Sequence, residues 1–343
     1  MSHAFVSVQW NGQKKAYDLI LLAAIAVYLG TFTAVGIAQQ AADPVVLIMR
    51  ALGTCAIVLL HIILAIGPLA RLSDRIKPLL YNRRHFGVVT ALISLAHAAL
   101  ALMWYHGSGP INPISSAIGG YGDYVVPIEF PFESLGLAAL LILGVMAATS
   151  HDFWLSRLSP PVWKALHMGV YAAYALLIGH VALGTAQFDK SGGLLIALTL
   201  GAVSLTALHI GAILKGRKAD LASELSGEWM SAGRPDEIPL NRAITLTPKS
   251  GERIAVFRYE KGISAIVGVC SHQNGPLGEG CILGGLVTCP WHGFQFDPET
   301  GAAPPPFEDR VQTHEVKLED GTIWVRSTPD PLGTTRPAVP VAT

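Results

Sequence analysis

Charge is what this sequence has least of. Only 14% of its 343 residues are Asp, Glu, Lys or Arg, and 24 basic residues balance 24 acidic ones. Soluble globular chains average roughly 25% charged residues, so a composition this apolar points to a membrane. With no net positive charge there is no electrostatic basis for a nucleic-acid partner. Cysteine is scarce as well, and four residues do not make a disulfide framework. No Gly-rich strand–turn–helix unit is present, which excludes a built-in nicotinamide or flavin domain of that type. No repeat of roughly 20–50 residues recurs, which sets solenoid folds aside.

What is abundant is apolar sequence before residue 215. A helix of about 20 apolar residues crosses the ~30 Å hydrocarbon core, and six stretches answer to that: 19–38, 51–70, 86–105, 134–150, 165–186 and 191–214. The first is too long for a signal-peptide core and reads as a retained helix. Lys and Arg gather in short cytoplasmic loops. Twelve basic residues fall on one side of these spans, among them Lys14, Lys15, Arg71, Arg83, Arg84 and Lys215, against Arg50 and Lys190 on the other. The expectation is a multi-pass protein of a bacterial-type inner membrane with both termini cytoplasmic. Its order would be an N-terminal arm (1–18), a six-helix membrane all-α bundle (19–214), a charged linker (215–240), a small all-β domain (241–327) and a Pro/Thr-rich tail (328–343) expected to be disordered.

Inside the β domain two loops carry metal-ligand chemistry. "CSHQNGPLG" places Cys270 and His272 one residue apart, and "CPWHGFQFD" places Cys289 and His292 two residues apart, with 16 residues between the pairs. Two thiolates and two imidazoles suit tetrahedral zinc or a [2Fe–2S] centre with two Cys on one iron and two His on the other. Spacing alone leaves both open. The full pattern, with Gly275, Pro276, Pro290, Trp291 and the proline-rich "GAAPPPFED", resembles the Rieske ferredoxin family. That resemblance implies Cys270 and Cys289 on the inner iron and His272 and His292 on the outer one. Rieske proteins of cytochrome bc complexes carry an extra cysteine in each loop; Gly275 and Trp291 stand there instead, which implies the ferredoxin type. A Rieske oxygenase also needs a large mononuclear-iron domain, and the 51 residues after His292 hold a single histidine, His314.

Seven histidines lie in or beside the spans: His61, His85, His97, His106, His167, His180 and His209. An ionisable residue at membrane depth is a functional candidate by default, although a lone histidine serves equally well as a helix–helix hydrogen bond. His167 and His180 stand about 20 Å apart along one helix axis, one toward each leaflet. "IGPLARL…RRHFGVVTALISLAHA" and "TSHDFWLSRLSPPVWKALHMGVYAAYALLIGH" are similar to the ferric-reductase-like transmembrane family, and within it to haem-binding membrane subunits of periplasmic methionine sulfoxide reductase systems. The resemblance implies b-type haem, one or two groups, on His97, His167 and His180. By depth His97 and His180 would share one haem. His85 is the first choice as partner of His167, with His61 and His209 as rivals. His106 and His151 read as surface residues at the membrane edges.

Together these features imply membrane electron transfer between a cytoplasmic [2Fe–2S] cluster and transmembrane haem b. A cytoplasmic reductase or ferredoxin would be the donor, and a quinone or a periplasmic acceptor would lie beyond the haem. Two alternatives stand beside it: an iron–sulfur redox sensor coupled to a membrane domain, and a zinc-stabilised β module on a bundle without redox chemistry.

Overall fold

The structure, a computed structural model, describes residues 12–119, 131–150, 154, 158, 160–188, 192–223, 228–248, 252–271, 275–290, 293–305 and 307–341. Backbone in hydrocarbon must satisfy its own hydrogen bonds, and a helix does so within one segment. The apolar stretches accordingly form α1 (Gly12–Ala38), α2 (Pro44–Leu72), α3 (Arg83–Ala101), α5 (Phe132–Thr149), α6 (Pro160–Leu183) and α7 (Gly193–Ser223), with a short α4 (Pro113–Gly119) between α3 and α5. Six of these seven are long and apolar enough to cross a membrane. Leucines and isoleucines such as Leu19, Ile20, Leu92, Leu141 and Leu200 point outward, the pattern of side chains that face lipid.

Five of the six spanning helices begin earlier than the apolar runs do; α7 begins two residues later, at Gly193. α2 starts at Pro44, which takes Arg50 out of a loop and into the second helical turn. α6 starts at Pro160, so His167 lies two turns in. α3 continues through a π-helical turn, Leu102–His106. His106, expected at the surface, is instead only 5% exposed, and its Nδ1 meets Ser116 Oγ of α4 at 2.9 Å. α4 covers it. His151 lies outside the described residues.

The chain divides into two compact units, one comprising 11–65 and 82–208 and the other 1–10, 66–81 and 209–343. In the first unit, Leu60, Leu64, Ala91, Ala139, Leu143, Ala173 and Leu205 form the packed interior, with Ala139 and Ala173 fully buried. Lipid offers helices no hydrophobic drive to associate, so small residues that allow close approach carry the packing.

In the second unit the C-terminal β domain begins upstream of the expected residue 241. β1 (Trp229–Ser231) pairs with β10 (Thr322–Arg326), which pairs with β9 (Val316–Glu319). A four-stranded antiparallel sheet follows the order β2 (Arg242–Leu246), β3 (Ile254–Tyr259), β4 (Gly262–Val267), β8 (Thr313–His314). A third sheet joins β5 (Cys281–Leu283), β6 (Leu286–Thr288) and β7 (Gln295–Phe296). Strand side chains alternate between faces, and β3 uses both. Ala255, Phe257 and Tyr259 enter one core while Ile254 and Val256 enter another. The Tyr259 hydroxyl sits between Ser264 Oγ (3.1 Å) and Glu299 Oε1 (3.3 Å), and burial above all pushes it up to about 12.

The tail is ordered, against the expectation from its composition. Val339 exchanges both backbone hydrogen bonds with Ile263 at 2.9 Å, and Ala338 and Val341 pack on the two cores. Arg336 donates from Nη2 to Asp330 Oδ1 at 2.7 Å and from Nε to Oδ2 at 2.9 Å. Proline-rich sequence lacks donors for a sheet interior, yet one residue on an edge is enough to anchor a strap.

The hydrogen bonds from Arg336 hold the Asp330 carboxyl below its ordinary range. A depressed carboxylate stabilises the fold above its unfolded value, near about 3.9, and ceases to as the pH falls through the folded value. The melting temperature of the β domain, followed by near-ultraviolet circular dichroism, should therefore fall below about pH 4. Arg336→Ala, which leaves the Asp330 charge buried without its fork, should cost about 1–3 kcal/mol at neutral pH and shrink the acid-dependent part of the melt.

Candidate functional site

Within the helical unit, His97 and His180 come together. Their ring centroids are 6.3 Å apart with planes at 81°. An imidazole nitrogen binds a metal at about 2 Å, so two rings ligating one iron from opposite sides have centroids roughly 6 Å apart. Each Nδ1 faces a backbone carbonyl: His97 meets Met49 O at 2.9 Å and His180 meets Phe132 O at 2.9 Å. A carbonyl only accepts, so Nδ1 carries the proton and Nε2 is left with its lone pair, the form a metal requires. The residues therefore fit a bis-imidazole haem.

Helix direction explains the meeting. His97 is late in α3 and His180 late in α6, whereas Met49 and Phe132 are early in α2 and α5. Two glycines make the room. A Cβ on Gly53 would lie 2.9 Å from Cε1 of His97, and one on Gly136 would lie 2.9 Å from Cε1 of His180. Neither glycine, nor either carbonyl, was among the candidates from sequence. Glycine inside an apolar helix was the only available signal.

The other histidines are placed apart from this pair. His167 Nδ1 faces Trp163 O at 2.9 Å, Nε2 lies 3.3 Å from Ser150 Oγ, and Trp163 stacks on the ring at 3.8 Å. His85, at the start of α3, has Nδ1 2.8 Å from Asp18 Oδ2 of α1. Both are at the end of the bundle opposite His97 and His180, but among the described residues no ring contact joins them. His61 is paired across helices, with Nδ1 3.0 Å from the Tyr174 hydroxyl. That is the helix–helix hydrogen bond the bland reading of an intramembrane histidine anticipates. His209 is half-buried on α7.

In the β domain, Cys270 and Cys289 are each 1% exposed and belong to one core with Leu277, Phe294, Phe296 and Val311. The first loop leaves β4 and closes on itself, Cys270 N to Gly275 O (2.8 Å) and Leu277 N to Gly268 O (2.8 Å). The second closes from Cys289 N to Phe294 O (2.8 Å) and from Gly293 N to Cys289 O (2.9 Å). Gly293 turns at φ +73°, a conformation L side chains rarely adopt. His272, Trp291 and His292 lie outside the described residues. Among the described ones no group of three or more His, Cys, Asp or Glu converges. Two thiol side chains on adjoining tight loops within one apolar core fit the sulfur half of an iron–sulfur site. His314 does not belong to it: it pairs with Ala265 across the sheet, its Nδ1 bonds Arg326 O at 2.9 Å, and burial pushes it down toward the neutral form.

Comparison with known proteins separates the same two parts. Residues 228–315 match the Rieske [2Fe–2S] domain and residues 52–178 the ferric-reductase-like transmembrane component. The haem-binding subunit MsrQ of a protein-methionine-sulfoxide reductase from Bordetella pertussis is 32% identical over 139 residues, 40% of this chain and 62% of that protein. The anthranilate 1,2-dioxygenase ferredoxin subunit of Burkholderia cepacia is 33% identical over 103 residues, 29% of this chain and 91% of that one. The oxygenase component of dicamba O-demethylase from Stenotrophomonas maltophilia is 31% identical over 108 residues, but these are 30% of its length. This chain thus spans under two thirds of its membrane relatives and nearly all of the ferredoxin.

A side chain at Gly136 has to displace the His180 ring. Gly136→Val should lose haem from the His97/His180 pair, seen as at least a halving of b-type absorbance per protein, while visible circular dichroism from the β domain stays unchanged.

Proposed function

We propose, from the premise that this chain belongs to the ferric-reductase-like transmembrane family and joins to it a domain of the Rieske [2Fe–2S] ferredoxin family, that it carries electrons between the cytoplasm and the far side of the inner membrane. Haem and cluster, when bound, each supply a one-electron couple; the protein supplies ligands, burial and spacing. Cys270, His272, Cys289 and His292 hold the cluster, in a domain placed on the cytoplasmic side by the distribution of Lys and Arg. His97 and His180 hold a haem toward the outer leaflet, and His167 with His85 serves a second toward the inner one. The observation that carries this reading is the facing of His97 and His180 with both Nδ1 atoms committed to carbonyls.

The residues divide the work. The carbonyls of Met49 and Phe132 fix the tautomers, and Gly53 and Gly136 let the rings approach. Leu277, Phe294 and Phe307 keep water from the thiolates. A cytoplasmic reductase or ferredoxin is the donor, and the acceptor is a quinone or a periplasmic protein.

Purified protein should contain iron, acid-labile sulfide and b-type haem together. His272→Ala should abolish the iron–sulfur paramagnetic signal and keep the haem bands, whereas His180→Ala should keep that signal and remove the part of the haem absorbance that belongs to the His97/His180 pair. Zinc in place of iron, or haem lost with His272, would contradict the assignment. Reoxidation of the reduced haem by an added quinone but not by a periplasmic extract decides between the two acceptors.

A further inference from the structure

Among the described residues of the helical unit, the six histidines with a bonded Nδ1 do not share one kind of partner. His97, His167 and His180 face backbone carbonyls, His61 a phenol and His106 a hydroxyl. His85 alone among them faces a carboxylate, Asp18, at 2.8 Å. That carboxylate is itself held, because Asn82 Nδ2 donates to its other oxygen. Asp18 belongs to α1 and His85 to α3, so an imidazole of α3 and the amide of the residue that precedes α3 both meet one carboxylate of α1.

An acidic residue at the edge of a membrane span is expensive to place there. A pair at a bilayer edge is worth little as a stabilising ion pair. A carboxylate on the outer nitrogen of a metal-bound histidine, by contrast, fixes the ring and raises the basicity of its ligating nitrogen. We propose that Asp18 is a positioning residue for His85 as a haem ligand, and that it lowers the reduction potential of the haem at that end of the bundle below that of the His97/His180 haem. This rests on the two-haem reading above and adds to it a direction. A more basic imidazole favours ferric over ferrous iron. With haem bound at both ends, the iron held by His85 would be the weaker electron acceptor, and an electron it lost would reduce the iron held by His97 and His180, one for one. Among the described histidines of the two ends, His85 is the one whose Nδ1 partner is a carboxylate; His97, His167 and His180 each face a carbonyl.

The test is potentiometric titration of the b-type absorbance in the full-length detergent-solubilised protein. Wild type should titrate in two waves. His180→Leu should remove the higher one and so assign the lower to the Asp18 end. Asp18→Asn keeps the shape and an acceptor oxygen but removes the charge. It should move the lower wave upward, by about 59 mV for each tenfold loss of ferric preference, and leave the upper wave in place. Asp18→Glu should restore most of the shift. The proposal is overturned if the lower wave stays put in Asp18→Asn at unchanged haem content, or if both waves move equally, which marks a general field effect. A protein with one wave that survives His85→Ala refutes it at its premise, and that outcome is distinct because it appears without any change at Asp18.

Discussion

An imidazole out of reach of water has to find a partner for its polar nitrogens, and the membrane half of this molecule is organised by that requirement. Unsatisfied polar groups in hydrocarbon cost several kcal/mol, on the order of 4–8 for transfer to a medium with no hydrogen bonding. The protein answers at the same atom each time. In His61, His85, His97, His106, His167 and His180 it is Nδ1 that is occupied. Once Nδ1 is committed, Nε2 becomes the atom available for other chemistry. At His97 and His180 the two rings are brought to the separation that one iron needs.

The partners also sort the histidines. Where the partner is a backbone carbonyl of a neighbouring helix, the ring is fixed by the fold itself, and a glycine on that neighbour gives it space. Where it is a phenol, as at His61, the bond ties α2 to α6 near the middle of the bundle. Where it is a hydroxyl, as at His106, the bond closes a short helix over the end of a long one. One residue type thus ties helices together at some positions and leaves a facing pair of rings with open Nε2 atoms at another, and only its surroundings tell the two apart.

Much of this was legible before any coordinates. Apolar runs announce spans because hydrocarbon tolerates little else, and the Cys/His loops carry a pattern with few other uses. Three features were not legible, each for a physical reason. Met49 and Phe132 act through carbonyl oxygens, which every residue has, so identity says nothing about them. β1 is three residues long, too short for an alternating pattern, and it is recognised only by its pairing with β10. The C-terminal strap reads as disordered because its composition is rich in proline and threonine, yet Val339 needs only the edge of Ile263 and Arg336 only a buried aspartate. Context ordered what composition could not.

α5 has one further consequence. It is the shortest span, 18 residues, or about 27 Å of helix, and it supplies both the Phe132 carbonyl and the gap at Gly136. A span shorter than its surrounding hydrocarbon draws the bilayer thinner around it. The geometry about His180 is thereby tied to lipid acyl-chain length. Sterol-rich or long-chain membranes pull on the same helix turn that orients the ring, so the thickness of the host membrane becomes part of what sets the aim of that imidazole.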